Sequence, residues 1–228
     1  MCWRADTSIA ARNGGCFPAS ASVRLESGLT RSMAELSVGD RVLTVDSDGR
    51  PRYDTVITFI HRQPHLLTAF TALATVAGHR LVATGDHLVF TSRDQSAASF
   101  GDAARPSFAA HVQPGNDSVY VSVAGRLGVS MVTSVTMVMG RGVFAPLTRS
   151  GTIVVDGVAA SCYALVSSHG VAHASMAPLR LAASAGALVD WWAWSSASSV
   201  DGVHWYARLL SRLTHLLLPA DSDLWFAS

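Results

Sequence analysis

Two glycines, a thiol and a distant imidazole are the residues of this chain whose types and spacing could do chemistry. Gly14-Gly15-Cys16-Phe17 lies near the start, and Thr84-Gly85-Asp86-His87 begins 68 positions after the cysteine. Thiolate, not thiol, is the competent nucleophile, so Cys16 needs a proton acceptor. His87 can supply acid or base because imidazole is the unperturbed side chain that titrates near neutrality. Gly15 leaves its carbonyl open to close approach, and Gly14 lets the backbone bend where a Cβ would clash. Attack by Cys16 on that carbonyl is an N-to-S acyl shift: the Gly15-Cys16 amide becomes a thioester, provided the departing amine is protonated. Thr84 could hold the scissile amide by its hydroxyl. Taken alone the pattern is weak, since a single cysteine and histidine more often form a buried thiol and a hydrogen-bonded core imidazole.

The elements that must position these residues read as β. From about Ser20 to Leu165 the β-rich runs are Ser22 to Leu25, Arg41 to Val45, Thr55 to Ile60 and Ile153 to Val155, with hairpin signals at Asp48-Gly49 and Asp156-Gly157. The region is therefore expected to be all-β. It also reads as duplicated. Leu36-Ser37-Val38-Gly39-Asp40 is echoed 76 residues on by Val112-Gln113-Pro114-Gly115-Asn116, and the same offset sets Val82 to Val89 against Val158 to Leu165. His87 then falls opposite Tyr163 and next to Cys162, at equivalent corners of a shared centre. Ordinary turn chemistry recurring in a β protein is the alternative. Ser92 to Arg105, rich in Ser, Ala, Asp and Gly, reads as a surface loop.

The last 60 or so residues change character. Ser175 to Val189 is rich in Ala and Leu, and Val203, Tyr206, Leu209, Leu210, Leu213, Leu216 and Leu217 fall at helical spacing opposite Arg208 and Arg212. Trp191, Trp192 and Trp194 cluster between them. A helical pair over 175–218 could pack on the β domain, contact another chain or sit in a membrane interface.

Composition narrows the classes. The 228 residues are 49% hydrophobic and 14% charged with a net charge of +1, enough to bury a real core but without a basic surface for nucleic acid or a polybasic membrane patch. Cys2, Cys16 and Cys162 are too few and too scattered for a disulfide framework, and no CxxC spacing suggests zinc, so no metal or cofactor is expected. The first six residues hold a charge pair and no apolar run, so no secretory signal is read there. Gly157 to Leu179 has no Asp, Glu, Lys or Arg but is interrupted by serines, histidines and Pro178, against a spanning helix. Asn116-Asp117-Ser118 matches a glycosylation acceptor, a motif common by chance.

Gly14 to Pro18, Val23 to Gly28, Gly39 to Leu43, Arg62-Gln63-Pro64-His65, Thr84-x-x-His87-Leu88, His111 to Gly115, Ala145 to Thr148, Ala160 to Ala164 and Gly202 to Tyr206 occur in order. Together they resemble the C-terminal autoprocessing part of hedgehog proteins, from about Ala10 to Leu218. The resemblance implies a Hint fold over 16–165, a pseudo-two-fold β disk shared with inteins. It also implies a remnant of an upstream signalling domain at 1–15 and a helical sterol-recognition region over 166–228. Cys16 matches the nucleophile that takes Gly15 as a thioester, His87 the histidine that assists the shift, and Thr84 the threonine that positions the scissile amide. Cys162 matches a thiol close to the nucleophile, with a small apolar strand residue as the equal alternative. In the family's second step the hydroxyl of cholesterol, a second substrate, attacks the thioester and leaves an ester on the glycine. The partners implied are cholesterol, the chain's own N-terminal segment as substrate, and a membrane interface through 175–218. The implied location is the endoplasmic reticulum, secretory pathway and extracellular space.

The chain departs from the family at one chemical position. Where the family has an aspartate that activates the sterol hydroxyl, this chain has Phe59-Ile60-His61-Arg62. A carboxylate of pKa about 4 and an imidazole of about 6.5 can both accept a proton near pH 7, so His61 is expected to serve as the general base. The other outcome is a thioester that forms and hydrolyses without sterol transfer. Only 15 residues precede Cys16, so the chain is expected to be a fragment, a truncated isoform or an incomplete gene model. The tail lacks the His-Asn ending that an intein needs to splice, so cleavage without ligation is expected. Two rivals are a non-catalytic sterol or membrane binding remnant and a papain-like protease acting in trans, the latter disfavoured because Cys16 lacks that class's strand and helix setting and a matching Asn.

Overall fold

The computed structural model describes residues 15–94, 100, 103–163 and 177, and the backbone of 202–203. Among them one 12-stranded sheet system carries the chain. The strands are β1 (Ser22–Arg24), β2 (Thr30–Ser32), β3 (Arg41–Val45), β4 (Pro51–Thr75), β5 (Arg80–Ala83), β6 (Leu88–Ser92), β7 (Arg105–Phe108), β8 (Ser118–Val123), β9 (Arg126–Thr148), β10 (Thr152–Val155), β11 (Val158–Ser161) and β12 (Gly202–Val203). The all-β expectation holds. Of the expected helical pair over 175–218 the structure describes only residue 177, which is helical, and the backbone of 202–203, where Val203 lies in strand β12 rather than in a helix; the rest of the pair, the tryptophan cluster and Cys2 lie outside the described residues.

The axis of the fold is an antiparallel ribbon of β4 and β9, which run 25 and 23 residues and pair from Val56↔Thr148 to Thr75↔Val132. Each grows out of a hairpin, β3 to β4 and β8 to β9. The duplication is visible at their starts. The Gly39 amide donates to Val56 O at 2.9 Å and the Gly115 amide to Val132 O at 2.8 Å, two bonds related by the 76-residue offset. Both glycines have positive φ, 96° and 79°, a conformation that other residues rarely adopt. The repeat is thus structural: each half opens with the same turn and feeds one strand into the shared ribbon.

The hairpin signals are realised. Asp48-Gly49 joins β3 to β4, and Asp156-Gly157, with φ of 51° and 80°, makes the tight turn between β10 and β11. The segment between Ser92 and Arg105 differs from a plain surface loop in one respect. Phe100 is buried, in edge contact with Phe90 and Tyr120 at centroid distances of 4.8 and 5.0 Å. One aromatic among small residues escapes a compositional reading.

The main core is formed by residues from both halves, including Phe17, Val56, Leu73, Leu81, Val119, Val132, Phe144, Leu147 and Ile153. The ribbon is irregular where the site needs it. Phe59↔Pro146 and His61↔Ala145 enclose one extra residue on β4, and Gln63↔Val143 and Leu67↔Arg141 enclose a longer irregularity containing Pro64. A bulge bends its strand and re-aims side chains, and proline is tolerated where a ladder bond is already interrupted. Opposite Pro64 lies Gly142, with φ of 78°; a Cβ there would sit 2.7 Å from the Phe144 ring, 3.0 Å from Ala19 Cβ and 3.1 Å from Pro64 O. Gly142→Ala is expected to lower the unfolding free energy by about 2 kcal/mol, measured by urea unfolding in a Cys16→Ala background.

Candidate active site

Cys16 is held where two segments meet the ribbon. On one side Phe17 bridges Phe144 of β9, its amide donating to Phe144 O at 2.8 Å and the Phe144 amide donating back at 2.9 Å. On the other, Thr84, at the end of β5, takes both polar groups of the Cys16 backbone. The Cys16 amide donates to Thr84 Oγ1 at 3.0 Å, and the Thr84 amide donates to Cys16 O at 2.9 Å. Gly15 and Cys16 are buried, the latter with no exposed surface. The Gly15-Cys16 amide is therefore fixed at its nitrogen and buried.

The turn from Thr84 to His87 is closed by the His87 amide donating to Thr84 O at 3.0 Å, and it carries the chain into β6. The His87 ring packs on Phe17, centroids 4.2 Å apart. Its Nε2 lies 2.9 Å from Ser161 O, which can only accept, so Nε2 carries the proton and Nδ1 of the neutral ring is left with a lone pair. Nδ1 makes no hydrogen bond, although the Gly15 carbonyl is near enough to favour the protonated ring. Burial outweighs that influence and the Ser161 carbonyl, and holds the His87 pKa down to about 4.

His61 is the second imidazole at the sulfur. The bulge on β4 turns it inward to 2% exposure, and Nδ1 lies 3.4 Å from Cys16 Sγ. Nε2 lies 3.2 Å from Gln63 Oε1. Burial lowers the His61 pKa, with Gln63 opposing. The neighbouring Arg62 stays outside, its guanidinium 4.8 Å from the Phe59 ring centroid and 5.8 Å from that of Phe144. On the outer edge of β4, Gly202 pairs with Arg62 and Val203 with His61.

Burial pushes the Cys16 thiol up to about 12. Burial thus opposes both a thiolate at Cys16 and an imidazolium at His61 or His87, which favours the neutral forms at rest. Cys162 is pushed up to about 11 by burial. Its Sγ lies 3.5 Å from Thr148 Oγ1, and it belongs to the main core, whereas Cys16 sits in a smaller cluster with Phe70, Ala72, Val82, Val143 and Ala145. Cys162 directly follows Ser161, whose carbonyl holds His87. Thr84 and His61 are thus in direct contact with Cys16, His87 flanks Gly15 and Phe17, and Cys162 stands one residue beyond the His87 anchor. Among the described residues no cluster of three or more His, Cys, Asp or Glu could hold a metal.

Sequence reasoning assigned no role to Gln63 or to the Ser161 carbonyl. A signal for Gln63 existed, since alternate residues of a strand share a face and Gln63 follows His61 by two; a backbone carbonyl leaves none.

Thr84→Val keeps the shape but strips the acceptor from a buried amide. It is expected to cost about 1–3 kcal/mol of stability, by urea unfolding, and to slow thiol-induced cleavage. A pH dependence follows from His87. Its folded pKa lies below its unfolded value of about 6.5, so the unfolded chain binds the extra proton and stability is full above that pH. It should fall as pH drops from about 6.5 to about 4, by up to about 3 kcal/mol. His87→Gln should flatten that slope in urea titrations on a Cys16→Ala background.

Comparison with known proteins gives the same reading from another direction. The Hint module matches residues 4–219. The chain is 43% identical over 225 residues to the Indian hedgehog protein of Gallus gallus, covering 96% of this chain and 52% of that protein. It is 37% identical over 229 residues to the protein hedgehog of Drosophila ananassae, covering 95% and 47%. The chain thus spans about half the length of the curated relatives it matches. Among solved structures a DnaB intein from Synechocystis superposes with a TM-score of 0.53 at 13% identity, covering 64% of this chain and 97% of the intein. An intein-like domain from Clostridium thermocellum gives 0.50 at 17%, covering 64% and 97%. The intein likeness shows the fold alone and the sequence likeness points to the hedgehog line, and by the match over residues 4–219 the chain belongs to the Hint module family.

Proposed function

We propose that this chain cleaves itself at Gly15-Cys16 through a Cys16 thioester and transfers the Gly15 acyl group to the hydroxyl of a sterol, cholesterol being the expected one. The observation that carries the first step is the hold of Thr84 on Cys16. An amide resists attack because its nitrogen lone pair is delocalised into the carbonyl. A hydroxyl oxygen fixing the N–H favours a geometry in which that overlap weakens while the sulfur approaches Gly15. The bond from Gly15 carbon to sulfur forms, the bond to the Cys16 nitrogen breaks, and the nitrogen takes up a proton. His87, neutral and with Nδ1 unpaired beside Gly15, is the group suited to relay that proton.

Two features support the second step. His61 lies against the sulfur that would carry the acyl group, so an alcohol attacking the thioester meets a base there. Gly202 and Val203 pair with Arg62 and His61 on the same strand, which supports delivery of a second substrate from that side. Secretion and a membrane interface through 175–218 belong to this reading by the hedgehog likeness. The replacement of the family's aspartate by His61 favours a second reading, in which the thioester forms and is lost to water.

Incubation of the purified chain with dithiothreitol, followed by mass measurement, should release a peptide ending at Gly15. Cys16→Ala should abolish it. With cholesterol in detergent the peptide should gain the mass of an ester. In His61→Ala the share of thioester captured by sterol, relative to that captured by water, should fall at least tenfold; an unchanged share would remove His61 from the second step.

A further inference from the structure

His61 touches the sulfur before any thioester exists, and its other nitrogen is engaged. The Nε2 to Gln63 Oε1 contact of 3.2 Å is to an amide oxygen, which only accepts. Nε2 therefore carries the ring proton, and Nδ1, 3.4 Å from Cys16 Sγ, presents its lone pair to the thiol. A thiol, an imidazole and an amide oxygen in series are the elements by which a cysteine nucleophile is activated by an oriented base. A carboxylate at position 61 would have no second nitrogen for Gln63 to orient, so this series belongs to the histidine.

We propose that His61 is the base that takes the Cys16 thiol proton in the first step, oriented by Gln63 as a positioning residue. The proposal rests on the autocleavage reading and adds to it. As the sulfur bonds to the Gly15 carbon, the Sγ proton passes to His61 Nδ1. As the bond from that carbon to the Cys16 nitrogen breaks, the nitrogen takes up one proton through His87. The proton delivered is the one His61 took from the thiol, handed on to His87 Nδ1, so both imidazoles are neutral again when an alcohol arrives. With burial opposing a free thiolate, transfer is coupled to attack rather than completed ahead of it.

The test is the pH dependence of dithiothreitol-induced cleavage, which reads thioester formation without sterol. The natural chain should cleave at a rate that is level across pH 7 to 8.5 and falls in acid as His61 is protonated. His61→Ala should cleave at least tenfold more slowly at pH 7, with a rate that climbs about tenfold per pH unit, because hydroxide must then remove the thiol proton. Gln63→Leu should slow cleavage less, by roughly three- to tenfold, and shift the acid limb to lower pH, while Gln63→Glu should shift it to higher pH. Urea unfolding of each variant in a Cys16→Ala background separates a folding defect from a chemical one, and the Gln63 pair gives a readout if His61→Ala unfolds. Cleavage in His61→Ala at the natural rate and profile, or identical acid limbs in both Gln63 variants, overturns the proposal and leaves autocleavage standing. A natural chain that dithiothreitol does not cleave overturns both.

Discussion

Everything at this site depends on keeping one amide dry while its hydrogen bonds are satisfied. Thr84 makes that possible by meeting the Cys16 N–H with its hydroxyl and the Cys16 carbonyl with its own amide. Without those two bonds, burial of Cys16 would leave polar groups unpaired at a cost of about 1–3 kcal/mol each. With them, the Gly15-Cys16 bond lies inside a protein interior where charge is expensive and water is excluded. A thiol pushed up and two imidazoles pushed down are the same environment acting on groups of opposite sign. Such a site holds its protons until bonds begin to move.

Placement comes from the ribbon. Strands β4 and β9 are long because each serves its own hairpin and then the shared axis, and the extra residue between Phe59 and His61 sets which side chains face Cys16. The Phe17–Phe144 bridge ties the first described residues to the same ribbon, so Cys16 and His61 are referenced to one piece of backbone. His87 is anchored from the other side by Ser161 of β11, which makes the two halves of the duplication meet at the Gly15-Cys16 bond.

The residues of the candidate site were more legible than the architecture. Cys16, Thr84 and His87 stood out because their types and spacing suit one reaction, and His61 because it replaced an expected aspartate. The repeat of Gly39 and Gly115 was readable because a positive φ demands glycine. The length of the central strands was not: Arg62 to Thr75 contains Pro64 and a run of Ala and Leu that propensity does not assign to a strand, and pairing with β9 overrides it. Phe100 was hidden for a similar reason, since burial of one ring depends on Phe90 and Tyr120, distant in sequence. No local pattern announces a bulge, and so the contact between His61 and the sulfur had to await the fold.

The pairing of β12 with β4 gives the molecule a sense of time. His61 leaves the ribosome about 140 residues ahead of Gly202, which at 5–20 residues per second is a lag of roughly 7–28 s. During that interval the edge of β4 beside His61 lacks β12. Synthesis order thus separates the part of the chain that surrounds Cys16 from the two residues that pair along its flank, and a ribosome stalled before Gly202 would carry the first without the second.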